Sequence, residues 1–500
     1  MSYETIWMHK GALALLLALA TTCATPSLAA DQGLVGPYPP PTSGGAPWTS
    51  AQVEHLKNDV EGILRRPILR GAHIGFLAVL SDTGSVLFQR AADEEFIPAS
   101  NFKLLVGSAA LARLGPQFTF KTTVATDGEN LYLRGGGDVR LSAKDLDAAA
   151  ATIAGSGLQH LSGNLVTDAS YFDSQHYGYG WSWDDFPYYY APVISALGLE
   201  DNVIHIYMRP GNAAGEPVLL RVEPRTSAVP IDNRLVTGPA GSKDTSDLAR
   251  SFADFQTITL TGSYPLHEKE SDDLAAAVPD PAAYAGDVLR RALAAHGVTI
   301  DGAVAPGVTP LAAQTLWTHD SEPMPQLLED FWWSSDNLLG EVFLKTLGVQ
   351  KSGAPGTDEH GIAVENAFLQ SIGVDPSTVS ITDGSGLSHY DHITPRDLTA
   401  ILQSDWNTAQ RVLVLNALPL AGVRGTLKSS FVGTPAERNV FAKTGSISHV
   451  RTISGFLRTR NHGTVTFSFM LDDYMDDAPG AATKLAALRA DLFSRIITSP

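Results

Sequence analysis

The sequence is almost devoid of cysteine. Its one cysteine, Cys23, falls in an N-terminal segment with the features of a secretion signal. Once that segment is removed, the mature chain holds none, which excludes disulfides, thiol catalysis and cysteine-based zinc sites. The histidines also lack metal-binding spacings such as His-Glu-x-x-His. We therefore predict neither a bound metal nor a cofactor.

The chain also lacks an apolar N-terminal run long enough for a comfortable transmembrane helix. The run that is present, residues 11–20, follows His9 and Lys10 and precedes small residues around Ala29. This pattern is typical of a signal peptide, residues 1–29, and a Pro/Gly-rich linker, residues 30–47, follows it. We expect an exported protein of the periplasm or the extracytoplasmic cell surface, with peripheral membrane association left open.

Positive charge is scarce, since 35 Lys and Arg face 53 Asp and Glu, a formal net charge of −18. Nucleic-acid binding needs clustered basic residues, so this balance argues against a nucleic-acid partner. With 44% hydrophobic and 18% charged residues the composition is that of a globular protein. The length of 500 residues predicts two or three domains.

The residue pattern predicts an α/β (α+β) fold in which a β-rich insertion interrupts the main domain. We expect residues 48–117 and 313–500 to form that domain, an antiparallel sheet flanked by helices, and residues 118–312 to be inserted. Helices are predicted near 50–64, 100–114, 324–347, 394–402 and 481–497, and strand pairs at 74–80 with 85–90 and 452–458 with 464–471. An aromatic cluster at 171–190 invites interpretation as a glycan platform, although packing of the insertion is favoured.

The first chemical motif is Ser100-x-x-Lys103 at the start of a predicted helix, a spacing that occurs once in the chain. Residues three apart are neighbours on a helix, so the lysine amine can reach the serine hydroxyl. A serine nucleophile needs a base, and burial can lower the lysine pKa enough to provide one. Alone, the motif is equally compatible with a capping serine and a surface lysine.

Two further motifs follow in order. Ser335-Asp336-Asn337 could relay a proton through Ser335 and hold a substrate amide with Asn337, although Ser-x-Asn recurs at residues 162–164. Lys443-Thr444-Gly445, followed by Ser446, precedes a strand-rich tail. A lysine and hydroxyls on a strand suit a terminal carboxylate, and glycine allows close backbone approach.

The ordered trio matches the serine, S-D-N and K-T-G set of penicillin-recognising enzymes. Ser100 and Ser335 are 235 residues apart, far more than in a compact β-lactamase, and no Glu-x-x-Leu-Asn follows Asn337. Both facts favour a D,D-peptidase with an inserted domain. The chain resembles the D-alanyl-D-alanine carboxypeptidase/endopeptidases of peptidase family S13, the penicillin-binding protein 4 type. The segments that carry the likeness include residues 97–103, 135–138, 163–168, 181–185, 195–197, 335–341, 383–388, 425–427 and 443–446.

The resemblance implies a β-lactamase/transpeptidase-like catalytic domain and a serine peptidase that acts on peptidoglycan stem peptides and is acylated by β-lactams. In that mechanism Ser100 attacks the penultimate D-alanine carbonyl, with Lys103 as general base and Ser335 and Asn337 assisting. The same resemblance implies that Lys443, Thr444 and Ser446 bind the carboxylate beside Gly445. The backbone N–H groups of Ser100 and Ser446 would form the oxyanion hole.

One position departs from the family pattern. An arginine commonly follows Asp-Gly-Ser-Gly-Leu-Ser and contacts the side chain of the third stem residue, whereas this chain has His389. A second family contact, an acid that receives the amine of that residue, corresponds to Asp185. Because an ordinary imidazole is uncharged above about pH 6.5, we expect a changed side-chain preference.

Two other functions remain as alternatives to the D,D-carboxypeptidase and endopeptidase. One is a serine β-lactamase or esterase on the same fold, which requires fast deacylation and would turn over nitrocefin steadily. The other is a catalytically silent wall-binding protein, which would form no penicillin adduct. The intact trio argues against the second, because a scaffold has no physical need for it.

Overall fold

The computed structural model describes residues 44–251, 253–271, 274–475 and 478–500. The predicted signal peptide and most of the predicted linker lie outside the described residues. The chain forms two compact units, and its path crosses between them twice. The first unit is Met1–Ile97 with Thr394–Pro500, and the second is Pro98–Ile393.

The helices and strands are numbered in chain order. The helices are α1 (Ser50–Leu64), α2 (Lys103–Leu114), α3 (Ala143–Gly155), α4 (Pro281–Ala295), α5 (Met324–Trp333), α6 (Asn337–Ser352), α7 (Asp358–Ser371), α8 (Pro395–Trp406), α9 (Arg411–Ala417) and α10 (Ala481–Ile497). The strands are β1 (His73–Leu80), β2 (Val86–Arg90), β3 (Lys121–Thr126), β4 (Leu131–Arg134), β5 (His160–Leu161), β6 (Leu165–Asp168), β7 (Val203–Arg209), β8 (Leu219–Glu223), β9 (Ile231–Asn233), β10 (Val236–Gly238), β11 (Asp247–Arg250), β12 (Ile258–Thr261), β13 (Ser263–Pro265), β14 (Leu274–Ala277), β15 (Thr299–Ile300), β16 (Val304–Pro306), β17 (Gln314–Asp320), β18 (Val440–Ile447), β19 (Val450–Arg458) and β20 (Thr464–Asp472).

The first unit is built on an antiparallel sheet in the order β18-β19-β20-β1-β2. Successive side chains of a strand point to opposite faces, so both faces of this sheet need cover. On one face Phe76 and Ala78 join the core formed with α1 and α10. On the other face α8 packs on β1, β19 and β20. The predicted α/β class with an antiparallel sheet flanked by helices is confirmed.

The ends of the helices in this unit follow local sequence signals. Thr49 and Gln52 form a complete capping box at the start of α1. Thr394 caps α8 through its side chain, and Pro395 occupies the first turn, where its missing N–H costs nothing. The helix predicted at 481–497 and the two predicted strand pairs are also present.

The second unit contains a five-stranded sheet in the order β16-β6-β4-β3-β17 and several smaller sheets. The helices α3 and α4 pack together and line one hydrophobic core with these strands. Both helices fall within the stretch predicted to be β-rich. Strand β17, at 314–320, pairs with β3 and therefore belongs to the sheet of this unit. The predicted insertion limits, 118 and 312, remain a prediction.

A helical cluster in the second unit surrounds α2. This helix contacts α5, α6 and α7, and residues 103–111 of it are all buried. Gly107 is required there because a Cβ would lie 2.6 Å from the ring of Trp332. The same indole donates a hydrogen bond to the Lys103 carbonyl at 2.9 Å, which fixes the first turn of α2. A helix buried on all sides needs such apolar neighbours throughout.

Candidate active site

Ser100 lies in a short 3-10 turn, Ala99–Phe102, that leads into α2. The prediction of a helix beginning near Ser100 therefore needs one correction, because the regular α-helix begins at Lys103. In a 3-10 turn residues three apart eclipse one another, which brings the two side chains together. Nζ of Lys103 lies 3.0 Å from Oγ of Ser100. Ala99 before it has a φ of 46°, a left-handed conformation that is strained for alanine.

Lys103 is fully buried and makes three hydrogen bonds. Besides Ser100, its amine contacts Oδ1 of Asn337 at 2.6 Å and the carbonyl of Ser385 at 2.6 Å. Burial lowers the pKa of Lys103 from 10.5 to about 8, against the opposing pull of Asp383 and other acids. A large share of the amine is consequently neutral just above neutral pH, as a general base requires.

The predicted helix at 324–347 is wrong as a single element, because the chain breaks into α5 and α6 at residues 334–336. Ser335 has a φ of 63°, and Asp336 caps α6 by accepting a hydrogen bond from the N–H of Leu339. This break turns Asn337 toward Lys103. The Nδ2 of Asn337 donates to the carbonyl of Tyr190 at 2.7 Å, so its Oδ1 is presented to the lysine.

Arg140 forms an ion pair with the break between α5 and α6. Its guanidinium lies 3.2 Å from Oδ2 of Asp336 and 3.0 Å from Oδ2 of Asp201. Burial and the neighbouring negative charge of Asp336 raise the pKa of Asp201 to about 7. Asp138, which accepts a hydrogen bond from the N–H of Arg140 at 3.1 Å, has a pKa raised to about 6, chiefly by burial. The turn that carries Asn337 is thus anchored by the ion pair of Asp336 with Arg140.

The loop at 383–388 supplies the third partner of Lys103. Its residues 383–386 are buried, and the N–H of Gly384 donates to both carboxyl oxygens of Glu341 at 3.0 Å. Burial raises the pKa of Glu341 well above its usual value. Gly386 has a φ of 74°, and a Cβ there would lie 2.0 Å from the carbonyl oxygen of Ala99. The loop therefore packs directly on the turn that precedes Ser100.

Asp185 connects to this cluster through Tyr190. Oδ1 of Asp185 accepts a hydrogen bond from the Tyr190 hydroxyl at 2.7 Å, while the Tyr190 carbonyl accepts from Asn337. Burial and the negative charge of Asp185 raise the pKa of Tyr190, which keeps the phenol a donor. Hydrogen bonds thus join Ser100, Lys103 and Asn337 to the Tyr190 backbone, and the side chain of Tyr190 binds Asp185. His389 is exposed and follows the loop at 383–388.

The aromatic cluster divides into a packed and an exposed part. Trp181 is buried and its indole N–H donates to Asp383, and Tyr177 stacks on Phe186 with ring centroids 3.9 Å apart. The exposed rings are Tyr179, Trp183, Tyr189 and, from another loop, Tyr390. Packing therefore accounts for part of the cluster, as expected, but not for all of it.

The third motif lies in the first unit, on β18. Lys443 is fully buried there, and its amine donates to the Thr444 carbonyl at 2.7 Å. The Thr444 hydroxyl donates to Oγ1 of Thr426 at 2.9 Å, and Ser446 is exposed. Strand β18 is the outermost strand of its sheet, so Lys443, Thr444 and Ser446 lie on an edge strand. Gly445 pairs with Thr452 in the neighbouring strand.

Sequence reasoning missed the residues that support the predicted ones. Ser385, Asp383 and Glu341 were recognised only as parts of resembling segments, with no role assigned. The signal that could have found them is the run Asp383-Gly-Ser-Gly, because an aspartate before glycines is typical of a turn closed by its own side chain. Tyr190 acts through its backbone carbonyl, which no residue pattern reveals.

The remaining predictions concern absent features. Within the described residues, no group of three or more His, Cys, Asp or Glu side chains is arranged to hold a metal ion. Among the helices at 50–497 that the structure describes, none has the length and apolar character needed to span a membrane.

One known protein family matches most of the chain. The model of the D-Ala-D-Ala carboxypeptidase 3 (S13) family matches residues 56–491. The chain belongs to the S13 family. The family predicted from the motifs is therefore confirmed, and with it the enzyme class, a serine-type D-Ala-D-Ala carboxypeptidase.

Similar individual proteins are also D-alanyl-D-alanine carboxypeptidases. The chain is 35% identical over 463 residues to the D-alanyl-D-alanine carboxypeptidase of Actinomadura sp. (strain R39), covering 88% of this chain and 85% of the relative. It is 25% identical over 435 residues to the D-alanyl-D-alanine carboxypeptidase DacB of Haemophilus influenzae, covering 85% and 90%. The crystal structure of penicillin binding protein 4 (dacB) from the latter organism superposes with a TM-score of 0.78 at 24% identity, covering 88% of this chain and 99% of that one. The β-lactamase/transpeptidase-like fold expected of the S13 family is thereby confirmed.

Proposed function

We propose that this S13 enzyme cleaves D-alanyl-D-alanine ends of peptidoglycan stem peptides outside the cytoplasm, through an acyl-enzyme on Ser100. The observation that carries the proposal is the environment of the Lys103 amine. Two of its three partners, Oδ1 of Asn337 and the Ser385 carbonyl, can only accept hydrogen bonds. A neutral amine has two N–H groups for these acceptors, and its lone pair is then left for the Ser100 hydroxyl.

The reaction begins when Ser100 attacks the carbonyl carbon of the penultimate D-alanine. A bond forms from Oγ to that carbon, and the hydroxyl proton passes to Lys103 over 3.0 Å. The peptide bond then breaks, and the leaving D-alanine amine takes up a proton, for which Ser335 is the proposed relay. Water hydrolyses the resulting ester and regenerates the Ser100 hydroxyl. No redox partner is needed for this cycle.

Substrate binding is assigned to two sets of residues. Asn337, held by Tyr190, is proposed to orient the substrate amide, and Asp185 to receive the amine of the third stem residue. The terminal carboxylate is assigned to Lys443, Thr444 and Ser446, with Gly445 allowing close backbone approach on β18. A charged amine and two hydroxyls suit a carboxylate, and an outermost strand can take up an extended peptide.

A β-lactam is proposed to act as a false acyl donor at the same serine. The ring amide opens when Ser100 attacks, and the ester that results hydrolyses slowly because its leaving group stays attached and shields the ester from water. A crystal structure of the Haemophilus influenzae penicillin binding protein 4 complexed with a β-lactam has a TM-score of 0.72 to this chain at 22% identity. Endopeptidase cleavage of cross-linked peptides uses the same bond chemistry and is included in the proposal.

The proposed function is tested by the release of D-alanine from a pentapeptide ending in D-alanyl-D-alanine. We expect release by the mature chain and no release by the Ser100→Ala variant, with L-alanyl-L-alanine peptides as the substrate control. Steady turnover of nitrocefin without D-alanine release would instead identify a β-lactamase. Peptidoglycan binding without either reaction would identify a silent wall-binding protein.

A further inference from the structure

Asp383 is the buried centre of the loop that contacts Lys103. Its carboxylate accepts three backbone hydrogen bonds, from the N–H groups of Ser385 at 3.0 Å, Gly386 at 2.6 Å and Ser388 at 2.9 Å. It also accepts one from the Ser385 hydroxyl at 3.0 Å and one from the Trp181 indole at 2.8 Å. Five donors on one carboxylate leave the loop 383–388 little freedom, because each lost partner would leave a buried charge poorly satisfied.

The fixed loop acts on the catalytic amine through a single atom. The carbonyl oxygen of Ser385 accepts a hydrogen bond from Nζ of Lys103 at 2.6 Å. The N–H of the same Ser385 is bound to Asp383, so the carboxylate sets the orientation of this residue. A shift of the carbonyl by a few tenths of an ångström would redirect one N–H of the amine and with it the lone pair toward Ser100.

Both acceptors of the Lys103 amine, Asn337 and Ser385, are held in place by residues of one stretch of chain, residues 181–190. Asn337 is held by the Tyr190 carbonyl at 2.7 Å. Ser385 is held by Asp383, which the Trp181 indole contacts at 2.8 Å. Asp185, between these two anchors, is a proposed substrate contact. The stretch that meets substrate therefore also fixes the geometry of the general base.

The charge of Asp383 also acts on the Lys103 amine, by opposing the fall of its pKa. Four buried or partly buried acids face Lys103, namely Asp383, Asp336, Glu341 and Asp391, and each opposes the fall of the lysine pKa that burial causes. Asp383 has the strongest such effect of the four. Without Asp383 the pKa of Lys103 would fall further. The pH range in which the reaction rate rises, the acid limb of its pH profile, would then move to lower pH.

We propose that Asp383 and Trp181 are a pair of positioning residues for the general base. Trp181 anchors the Asp383 carboxylate, and Asp383 holds the Ser385 carbonyl so that the Lys103 lone pair is directed at Ser100. Neither residue touches the reacting atoms. This inference rests on the proposed function, because it requires Lys103 to be the base for Ser100.

The test compares two tryptophan-to-phenylalanine variants. Trp181→Phe keeps an aromatic ring but removes the N–H that contacts Asp383. Trp406→Phe removes an indole-to-aspartate bond of the same kind, partly buried, from Trp406 to Oδ1 of Asp82 at 2.9 Å in the first unit. Stopped-flow acylation by nitrocefin separates the acylation rate constant from the dissociation constant of the preceding complex. We expect Trp181→Phe to slow acylation about tenfold with little change in that dissociation constant, and Trp406→Phe to leave both unchanged.

A second variant tests the effect of the negative charge of Asp383 on the Lys103 amine. Asp383→Asn is expected to lower the plateau rate about a hundredfold and to move the acid limb of the acylation rate below that of the wild type. Acylation of Trp181→Phe at the wild-type rate overturns the inference, whether or not Asp383→Asn folds. Absence of acylation in the wild type would instead overturn the proposed function, so the two failures are distinguishable.

Discussion

The side-chain oxygen of Asn337 accepts a hydrogen bond from the amine of Lys103 at 2.6 Å, although the two residues are 234 positions apart. The amide nitrogen of Asn337 is committed to the Tyr190 carbonyl, so the oxygen cannot be exchanged for a donor without losing that bond. The first and second motifs are consequently one chemical unit. Predictions about catalysis follow from the state of this amine.

The reaction should depend on pH through Lys103. Its pKa is lowered to about 8 by burial, so the amine is charged below that value and neutral above it. Only the neutral form can accept the Ser100 proton, and the acylation rate should rise about tenfold per pH unit below pH 8 and level off above it. The measurement is the second-order rate constant of acylation by nitrocefin from pH 6 to 9, with circular dichroism confirming the fold. A rate independent of pH across this range would contradict the assignment of Lys103.

A permanently charged side chain should abolish this base. Lys103→Arg keeps the positive charge but cannot lose its proton at accessible pH, so acylation should fall by about a thousandfold. Lys345→Arg is the matched control, because Lys345 is equally buried in the same unit and pairs with Asp173 at 2.7 Å and Asp358 at 2.8 Å. Its acylation rate should stay near that of the wild type. Equal losses in both variants would point to disturbed packing instead.

Close packing between Gly386 and Ala99 should matter for catalysis as well as for stability. Gly386→Ala would place a Cβ 2.0 Å from the Ala99 carbonyl, so the loop and the turn before Ser100 must separate. Gly353→Ala has a similar φ, 79° against 74°, but its Cβ meets open space. We expect Gly353→Ala to cost about 1 kcal/mol in unfolding free energy with normal acylation. Gly386→Ala should cost more and should slow acylation at least tenfold; equal behaviour of the two variants would refute this account of the loop.

The histidine in place of the family arginine should alter substrate preference. His389→Arg should favour a third stem residue with a carboxylate over its amidated form by about tenfold, because a guanidinium binds a carboxylate through charged hydrogen bonds. The ratio of kcat/KM for peptides with diaminopimelate and with the amidated residue measures this. His55→Arg, at an exposed histidine of α1, is the control. Comparable ratios in the wild type and His389→Arg would show that His389 does not contact the side chain.

Much of the site could be predicted from the sequence because its chemistry depends on short local spacings. Ser100 and Lys103 are three residues apart, and a turn of helix brings such residues together whatever surrounds them. The capped helices α1 and α8 and the hairpin β19–β20 were predicted for the same reason. The break at Ser335 was missed, although the polar run at residues 334–337 interrupts the apolar pattern and Asp336 is a typical helix-capping residue.

Other features depend on contacts between distant segments, which spacing does not encode. The helices α3 and α4 escaped prediction because they lie among strand-like runs, although their alanine-rich sequences favour a helix. Strand β17 belongs with β3, nearly 200 residues earlier, as the pair Asp320 and Lys121 illustrates. The roles of Asp383 and Trp181 require the loop 383–388 to be folded before any partner can be named.

The central claim is that Ser100 is the nucleophile of a penicillin-binding D,D-peptidase. The most direct test is intact-protein mass spectrometry of the mature chain after brief exposure to benzylpenicillin, beside the variants Ser100→Ala and Ser371→Ala. The account predicts one penicilloyl adduct per chain in the wild type and in Ser371→Ala, located by peptide mapping at Ser100, and none in Ser100→Ala. An adduct that persists in Ser100→Ala, or a wild type that leaves the drug untouched, would contradict it.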